Sequence, residues 1–341
     1  MSQQSTVSLV DLCAVGIDVS KESLSIGLRC VDGSTDTTSI RNNETDITEF
    51  ITKELTGYVG KIIMESTGWY HYLVATILFE TGFDVRVINP LISKKYSSGT
   101  IRKVKTDNRD AVMLAEIALK EEKLPRSFSS DRKDLEIRKK IGLLSSLENQ
   151  CQEFNATIKN YQESKDQLNL KLSITEENLL AMIATMNTLK QNLEKEISTL
   201  SNQSEDKAEQ VARFSTIPGV SHHLATISAY FFDPEVSDDS KQWIAYAGLD
   251  VSIKQSGKWT GHGRLTKRGN AYLRKRFFCS AWGAMMHNAK FKEYYQYLKA
   301  QHRSHVEALT IISRKLVRIM FTLSKKQSVY DPSLLNFPAL I

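Results

Sequence analysis

The sequence predicts an α/β region followed by an all-α remainder. The expected parts are a mixed sheet with helices on its faces, a coiled-coil-like helical hairpin, and a mainly helical C-terminal segment. Three observations carry this. Residues 14–90 alternate strand-like and helix-like patterns. No Gly or Pro occurs from Leu143 to Ile217, while apolar residues recur there at steps of three and four. Beyond Gln242, a glycine-bearing basic stretch gives way to two helix-patterned runs. The implied division is 1–128, 129–210 and 211–330.

In the first part, AVGIDVS (14–20) reads as a buried strand and SLSIGLRC (23–30) as an alternating one, with Lys21-Glu22 as the turn. TTSIRN (37–42) is a third strand candidate, and Glu44 to Leu55 is helix-like. KIIMES (61–66) is a further buried strand, followed by an apolar helix from Tyr70 to Glu80 that Gly82 stops. DVRVINP (84–90) is another strand, closed by Pro90. Lys94 to Lys105 reads as a basic linker, and Thr106 to Lys120 as a helix with Thr106 or Asp107 as N-cap.

In the second part, one apolar series runs Ile137, Ile141, Leu144, Leu147, Cys151, Phe154, Ile158, Tyr161, and another from Leu179 to Leu200. The polar stretch Gln162–Gln167 is the expected reversal between two antiparallel helices. Surplus apolar positions such as Leu147, Phe154 and Leu168 make this hairpin a candidate self-association surface. In the third part, IPGV (217–220) before an apolar run suggests a helix-hairpin-helix-like turn, where Gly219 gives backbone N–H groups access to a phosphate. Glycines 257, 261, 263 and 269 suggest a loop, with helices at Asn270–Met286 and His305–Ser324.

The chain has 341 residues and a formal net charge of +6. The excess is C-terminal: residues 211–341 hold 19 Lys/Arg against 8 Asp/Glu, while residues 1–130 hold 15 against 17. Val251 to Lys292 contains ten Lys/Arg and no acid, a one-sign field that attracts polyanions. Lys254, Lys258, Arg264, Lys267, Arg268 and Arg274 are the candidate phosphate contacts. No run of eighteen apolar residues exists, so no membrane span is expected. Met1 to Cys13 lacks a basic region followed by an apolar run, which argues against a signal peptide. Four scattered cysteines without CxxC spacing argue against a zinc ribbon and a disulfide framework, and for a cytoplasmic setting. P-loop, dinucleotide-fold, zincin and nucleophile-elbow motifs are absent.

Four carboxylates stand out. Asp18 ends the first strand, Glu65 ends a later one, and Asp107 and Asp110 share one face of the helix after the linker. Clustered carboxylates of this kind suit Mg²⁺ or Mn²⁺, which activate an attacking oxygen and stabilise a leaving one on phosphorus. Each alone has an ordinary reading: Asp107 as an N-cap, Asp110 as an exposed helix residue, Asp18 as a turn residue. Ser256, in QSGK within the acid-free basic stretch, is a candidate nucleophile, with His262 close in sequence. Spacing alone makes a Ser-Gly pair a turn.

GIDVSK, MESTG, KTDNRDA, IPGV, AYAGL, QSG and LTKRGNAYLR occur in this order. The combination resembles the DEDD transposases of the IS-one-ten insertion-sequence family, relatives of the pilin-gene invertases, from about Val15 to about Met286. The resemblance implies a RuvC-like (ribonuclease-H-like) domain, a coiled-coil connection and a C-terminal transposase domain. It places Asp18, Glu65, Asp107 and Asp110 on a metal-binding tetrad and Ser256 on the proposed nucleophile. It further implies donor and target DNA as partners and a structured guide RNA; the expected homo-oligomer, a dimer or tetramer, would form through the coiled-coil hairpin. The chain departs from the pattern at Val251, where proline is usual, and at Ser221, where glycine is usual. Ser252 is therefore a reserve nucleophile. Two other readings stay open: a RuvC-like Holliday-junction nuclease that uses the same carboxylates with water and needs no Ser256, and a noncatalytic nucleic-acid-binding regulator that needs the basic C-terminal segment but not the carboxylates.

Overall fold

The structure, a computed structural model, describes residues 12–97, 107–121, 124–125, 128, 132–171, 173–235, 237–252, 255–256, 259–260, 263–335 and 337. The chain divides into two compact units, Met1–Arg132 and Lys133–Ile341. Among the described residues, no helix is long and apolar enough to cross a membrane.

The first unit is built on a five-stranded mixed sheet. Its strands are β1 (Leu12–Val19), β2 (Ser23–Cys30), β3 (Thr35–Arg41), β4 (Lys61–Glu65) and β5 (Asp84–Ile88), in the order β3-β2-β1-β4-β5. The first three form an antiparallel meander, while β1–β4 and β4–β5 pair in parallel. This arrangement is compatible with a RuvC-like domain. Helices α1 (Glu44–Glu54) and α2 (His71–Glu80) supply Ile47, Phe50, Val74 and Leu78 to a core with Val15, Ile17, Ile62 and Met64. Asn43 caps α1 by accepting from Asp46 N at 2.8 Å.

Helix α3 (Pro90–Ser97) follows β5, and α4 (Asp107–Lys120) follows it. Pro90 therefore opens a helix, and Lys94–Ser97 belong to α3 rather than to a linker. Proline is favourable in a first helical turn, where its missing N–H is not needed. The remainder of the expected linker, 98–105, lies outside the described residues. Leu114, Ala115, Ile117 and Ala118 of α4 pack with Ala14, Ile63 and Ile88, so α4 covers the sheet's other face.

The second unit begins with α5 (Arg132–Gln167) and α6 (Ile174–Ser201). Lys140 bridges to Glu196 at 2.8 Å, and Lys165 to Glu176 at 2.7 Å, so the pair is an antiparallel hairpin. The reversal lies after Gln167, not at Gln162–Gln167, because polar residues alone do not end a helix. Asn169 does so in the left-handed conformation (φ 53°), with Leu170 N donating back to Lys165 O at 3.0 Å. Ser173 and Glu176 form a capping box that starts α6.

Helices α7 (Glu205–Ser215), α8 (His222–Phe231), α9 (Ser240–Tyr246), α10 (Ala271–His287), α11 (Ala289–Ala300) and α12 (His305–Lys326) form the rest of this unit around a core containing Phe214, Tyr230, Phe232, Trp243, Phe277 and Leu316. The IPGV turn joins α7 to α8, and Ser221 caps α8 by accepting from Leu224 N. Gly219 has φ 80°, and a Cβ there would lie 2.4 Å from Ala284 N and 2.5 Å from Ser280 O. Glycine at this position thus allows the turn to press against the backbone of α10.

Candidate functional site

Strand register places the first two carboxylates. In the parallel β1–β4 pair, Gly16 faces Ile63 and Ile17 faces Met64, so Asp18 and Glu65 come next in step. Side chains alternate along a strand. Val15, Ile17, Ile62 and Met64 fill the α1/α2 side, while Ala14 and Ile63 meet α4. Asp18 and Glu65 therefore stand side by side on the α4 face, at the C-terminal ends of adjacent strands. Both are half-buried.

Two glycines bring in the third. Gly16 and Gly27 pair across β1 and β2. A Cβ on Gly16 would lie 2.1 Å from Ala111 O and 2.3 Å from Ala115 N, and one on Gly27 would lie 2.5 Å from Val112 N. The pair makes a flat seat on which the backbone of α4 rests. Ala111 sits over Gly16, and Asp110, also half-buried, immediately precedes it. Asp107 opens the same helix one turn earlier. The sequence signal was a glycine at the middle of each of two consecutive strands, which marks close backbone approach.

Two further residues frame this end of the sheet. Ser93 of α3, only 3% exposed, donates from Oγ to Glu65 Oε2 at 2.5 Å. Asn42 donates from Nδ2 to Ser20 O at 3.0 Å and to Tyr70 O at 3.1 Å. It ties the residue two beyond Asp18 to the loop after Glu65, on which Trp69 and Tyr70 are exposed. Sequence reasoning missed both, since neither Ser93 nor Asn42 lies in a motif.

The all-oxygen donor set at strand ends fits a hard divalent cation such as Mg²⁺ or Mn²⁺, which takes one or two carboxylates and retains water. Among the described residues, the group of His, Cys, Asp or Glu ligand atoms lying within 4.8 Å of one another is Glu148, Glu194 and His223 in the second unit. That group is already charge-balanced. Arg276 Nη2 donates to Glu148 Oε1, Lys275 Nζ lies 3.6 Å from Glu148 Oε2, and Tyr272 Oη donates to Glu148 at 3.2 Å. His223 Nε2 lies 2.9 Å from Tyr272 Oη, and burial, then the Arg276 charge, pushes its pKa down to about 4. The two cations occupy the electrostatic role that a metal would take, so this cluster reads as a half-buried ion-pair network around Glu148 that joins α5, α6, α8 and α10.

Ser256 lies on a short β arm. Val251–Ser252 (β6) pair with Arg264–Leu265 (β9), and Gln255–Ser256 (β7) pair with Trp259–Thr260 (β8), with Ser256 opposite Trp259. The expected loop is thus partly a β ladder, whose paired residues are not the glycines and include Val251, Trp259 and Thr260, types that favour strands. AYAGL and RGN close its base. Gly248 (φ 67°) ends α9, with Leu249 N donating to Ile244 O at 2.9 Å, and a Cβ on Gly269 would lie 2.2 Å from Gly248 N. Asn270 then caps α10. Arg264, Lys267, Arg268 and Ser252 are exposed. Arg274 is half-buried with Nη1 against Gly248, so it packs on the base of the arm. Lys254, Lys258 and His262 lie outside the described residues.

Residues 15–165 match the DEDD transposase model of IS110, and residues 211–296 match the model described as transposase IS116/IS110/IS902 family. The chain belongs to this transposase family. Relatives include the insertion element IS116 uncharacterized 44.8 kDa protein of Streptomyces clavuligerus, 26% identical over 132 residues, 38% of this chain. Another is the insertion element IS110 uncharacterized 43.6 kDa protein of Streptomyces coelicolor, 27% identical over 119 residues, 34% of this chain. The matched stretches span about a third of those relatives, 32% and 29% of their respective lengths. The first family match contains every residue of the carboxylate end, and the second contains the β arm.

Proposed function

We propose that the chain is a DNA transposase of an insertion sequence, cutting and rejoining strands by phosphoryl transfer. The observation that supports this reading is that Asp18 and Glu65 end adjacent parallel strands on the sheet face that α4, which carries Asp110, covers through the Gly16–Gly27 seat. With Asp107 they would hold Mg²⁺ or Mn²⁺, which supplies charge stabilisation to a reacting phosphate when bound. Ser256 Oγ attacks phosphorus, a Ser–phosphate bond forms, one P–O bond of the strand breaks, and the departing sugar oxygen gains a proton. A later attack by a strand hydroxyl on that linkage frees the serine and rejoins DNA.

The exposed basic side chains of the arm, Arg264, Lys267 and Arg268, suit phosphate contacts. Trp69 and Tyr70 suit stacking by bases near the carboxylates. Direction by a guide RNA rests on family resemblance. Self-association rests on apolar side chains exposed along the hairpin, Leu143, Leu168, Ile174, Met182 and Leu189.

The test is capture of a covalent protein–DNA adduct on end-labelled element DNA, with the co-purified nucleic acid retained. Wild type forms the adduct, while Ser256→Ala binds DNA and forms none. Cleavage by Ser256→Ala at the wild-type rate would replace serine by water and favour the nuclease reading.

A further inference from the structure

We infer that Ser93 is a positioning residue for Glu65, fixing which carboxylate oxygen is offered to a divalent cation. The inference deepens the metal-site reading above and rests on it. Glu65 is the last residue of β4, and its backbone is already set: it is in step with Ile88 of β5, and the next residue, Ser66, donates N–H to Ile88 O at 2.9 Å. Its side chain, with three rotatable bonds at a half-buried strand end, needs a separate restraint to hold one orientation. Ser93 supplies it.

The Ser93 hydroxyl is 3% exposed and lies 2.5 Å from Glu65 Oε2 and 3.0 Å from Pro90 O. A hydroxyl has one proton to donate. The carboxylate is both nearer and charged, so it takes the stronger share, with the Pro90 carbonyl as the lesser acceptor. The donor is held on α3, whose first turn is preset by Pro90 and closed by Ile92 N donating to Asn89 O at 2.8 Å. Oε2 is thus engaged from the α3 side, and Oε1 is left as the oxygen offered to a cation. A neutral donor suits this role, because it orients the carboxylate without cancelling the charge that attracts the metal. Hydrogen-bonded partners of ligating carboxylates act in this way on metal affinity.

The test uses the full chain and Mn²⁺ as the probe, with affinity read from the electron paramagnetic resonance of free Mn²⁺. Ser93→Ala is expected to weaken binding by about ten- to a hundredfold. Ser93→Thr, which keeps the hydroxyl, is expected to stay within about threefold of wild type, well short of that loss. In strand cleavage, Ser93→Ala should need more Mn²⁺ for half-maximal rate and approach the wild-type rate at saturation. A merely structural role would not move the metal dependence in this selective way. Ser93→Cys, nearly the same size with a weak donor, reads the same loss if the alanine variant fails to fold. Wild-type Mn²⁺ affinity in a folded Ser93→Ala or Ser93→Cys protein, alongside weakened affinity in Glu65→Gln, overturns the inference alone. Wild-type affinity in Glu65→Gln as well overturns the metal-site reading and this inference with it.

Discussion

Each compact unit carries carboxylates of metal-ligand chemistry, and the partners of Glu65 and Glu148, Ser93 and Arg276, differ in charge. In the first unit, Asp18 and Glu65 end adjacent strands on the face that α4, which carries Asp110, covers, and Glu65 accepts from a neutral hydroxyl. In the second, Glu148 and Glu194 lie closer to a common point with His223, yet Arg276 and Lys275 are already in place against Glu148. Proximity of ligand atoms favours the second cluster as a metal site, and charge favours the first. Charge decides. At the second cluster a satisfied ion pair would have to be broken to admit a divalent ion, whereas the neutral hydroxyl on Glu65 leaves that carboxylate's charge in place.

The contrast also explains how each cluster is built. The first depends on backbone geometry, since Gly16 lets α4 descend until Ala111 O would be 2.1 Å from any added Cβ. The largest expected effect is therefore at this glycine. Gly16→Val should destabilise the first unit by about 3 kcal/mol or more, because backbone atoms cannot yield as side chains do. Urea unfolding measures the loss. A variant as stable as wild type would show that α4 is not seated there, and with it the placement of Asp110 would fall.

The second cluster depends on side-chain protonation, so its signature is pH. His223 titrates near 4 in the folded chain and near 6.5 unfolded. The unfolded state therefore binds the proton first as pH falls, and stability declines between about pH 6.5 and pH 4, by roughly 2 kcal/mol once partial exposure is allowed for. His71, whose pKa burial also lowers, adds a decline of the same sign in the first unit. His223→Gln should flatten the slope that wild type shows in unfolding experiments at pH 7 and pH 5. An unchanged slope would mean that His223 is not held neutral by this network.

The smallest effect concerns the other cations of the second unit. Lys275 and Arg276 are used internally, while Lys267 and Arg268 are exposed beside the arm. Lys267→Ala and Arg268→Ala should each lower the slope of log affinity against log salt by about one, for any DNA sequence. Lys275→Ala should leave that slope nearly unchanged. Equal effects from all three would blur the distinction between internal and exposed cations.

Much of this was legible in the sequence. Strands β1, β4 and β5 follow from apolar runs and β2 from alternation, and Asp18 and Glu65 stand out because they sit at strand ends; β3, mostly polar, gave a weaker signal. The hairpin follows from its three-and-four spacing. Its reversal was misplaced because polar residues in a helix resemble a turn, and only Asn169 in a left-handed conformation settles the point. Helix α11 was missed because it begins immediately after α10, with Asn288 closing one helix and capping the next. Ser93 and the Glu148 network left no local signature, since their partners are 28 and as many as 128 residues away. Contacts of that range are set by packing, which periodicity does not encode.

On the proposed reading, the carboxylates at the sheet end bind the divalent ion and the Glu148 network does not. Mn²⁺ binding to wild type, Asp18→Asn and Glu148→Gln tests it most directly, with each variant's fold verified by circular dichroism. Asp18→Asn is expected to lose most of the Mn²⁺ affinity, while Glu148→Gln keeps it and shows reduced stability only. Retained affinity in Asp18→Asn together with lost affinity in Glu148→Gln would contradict the account and move the metal to the helical unit.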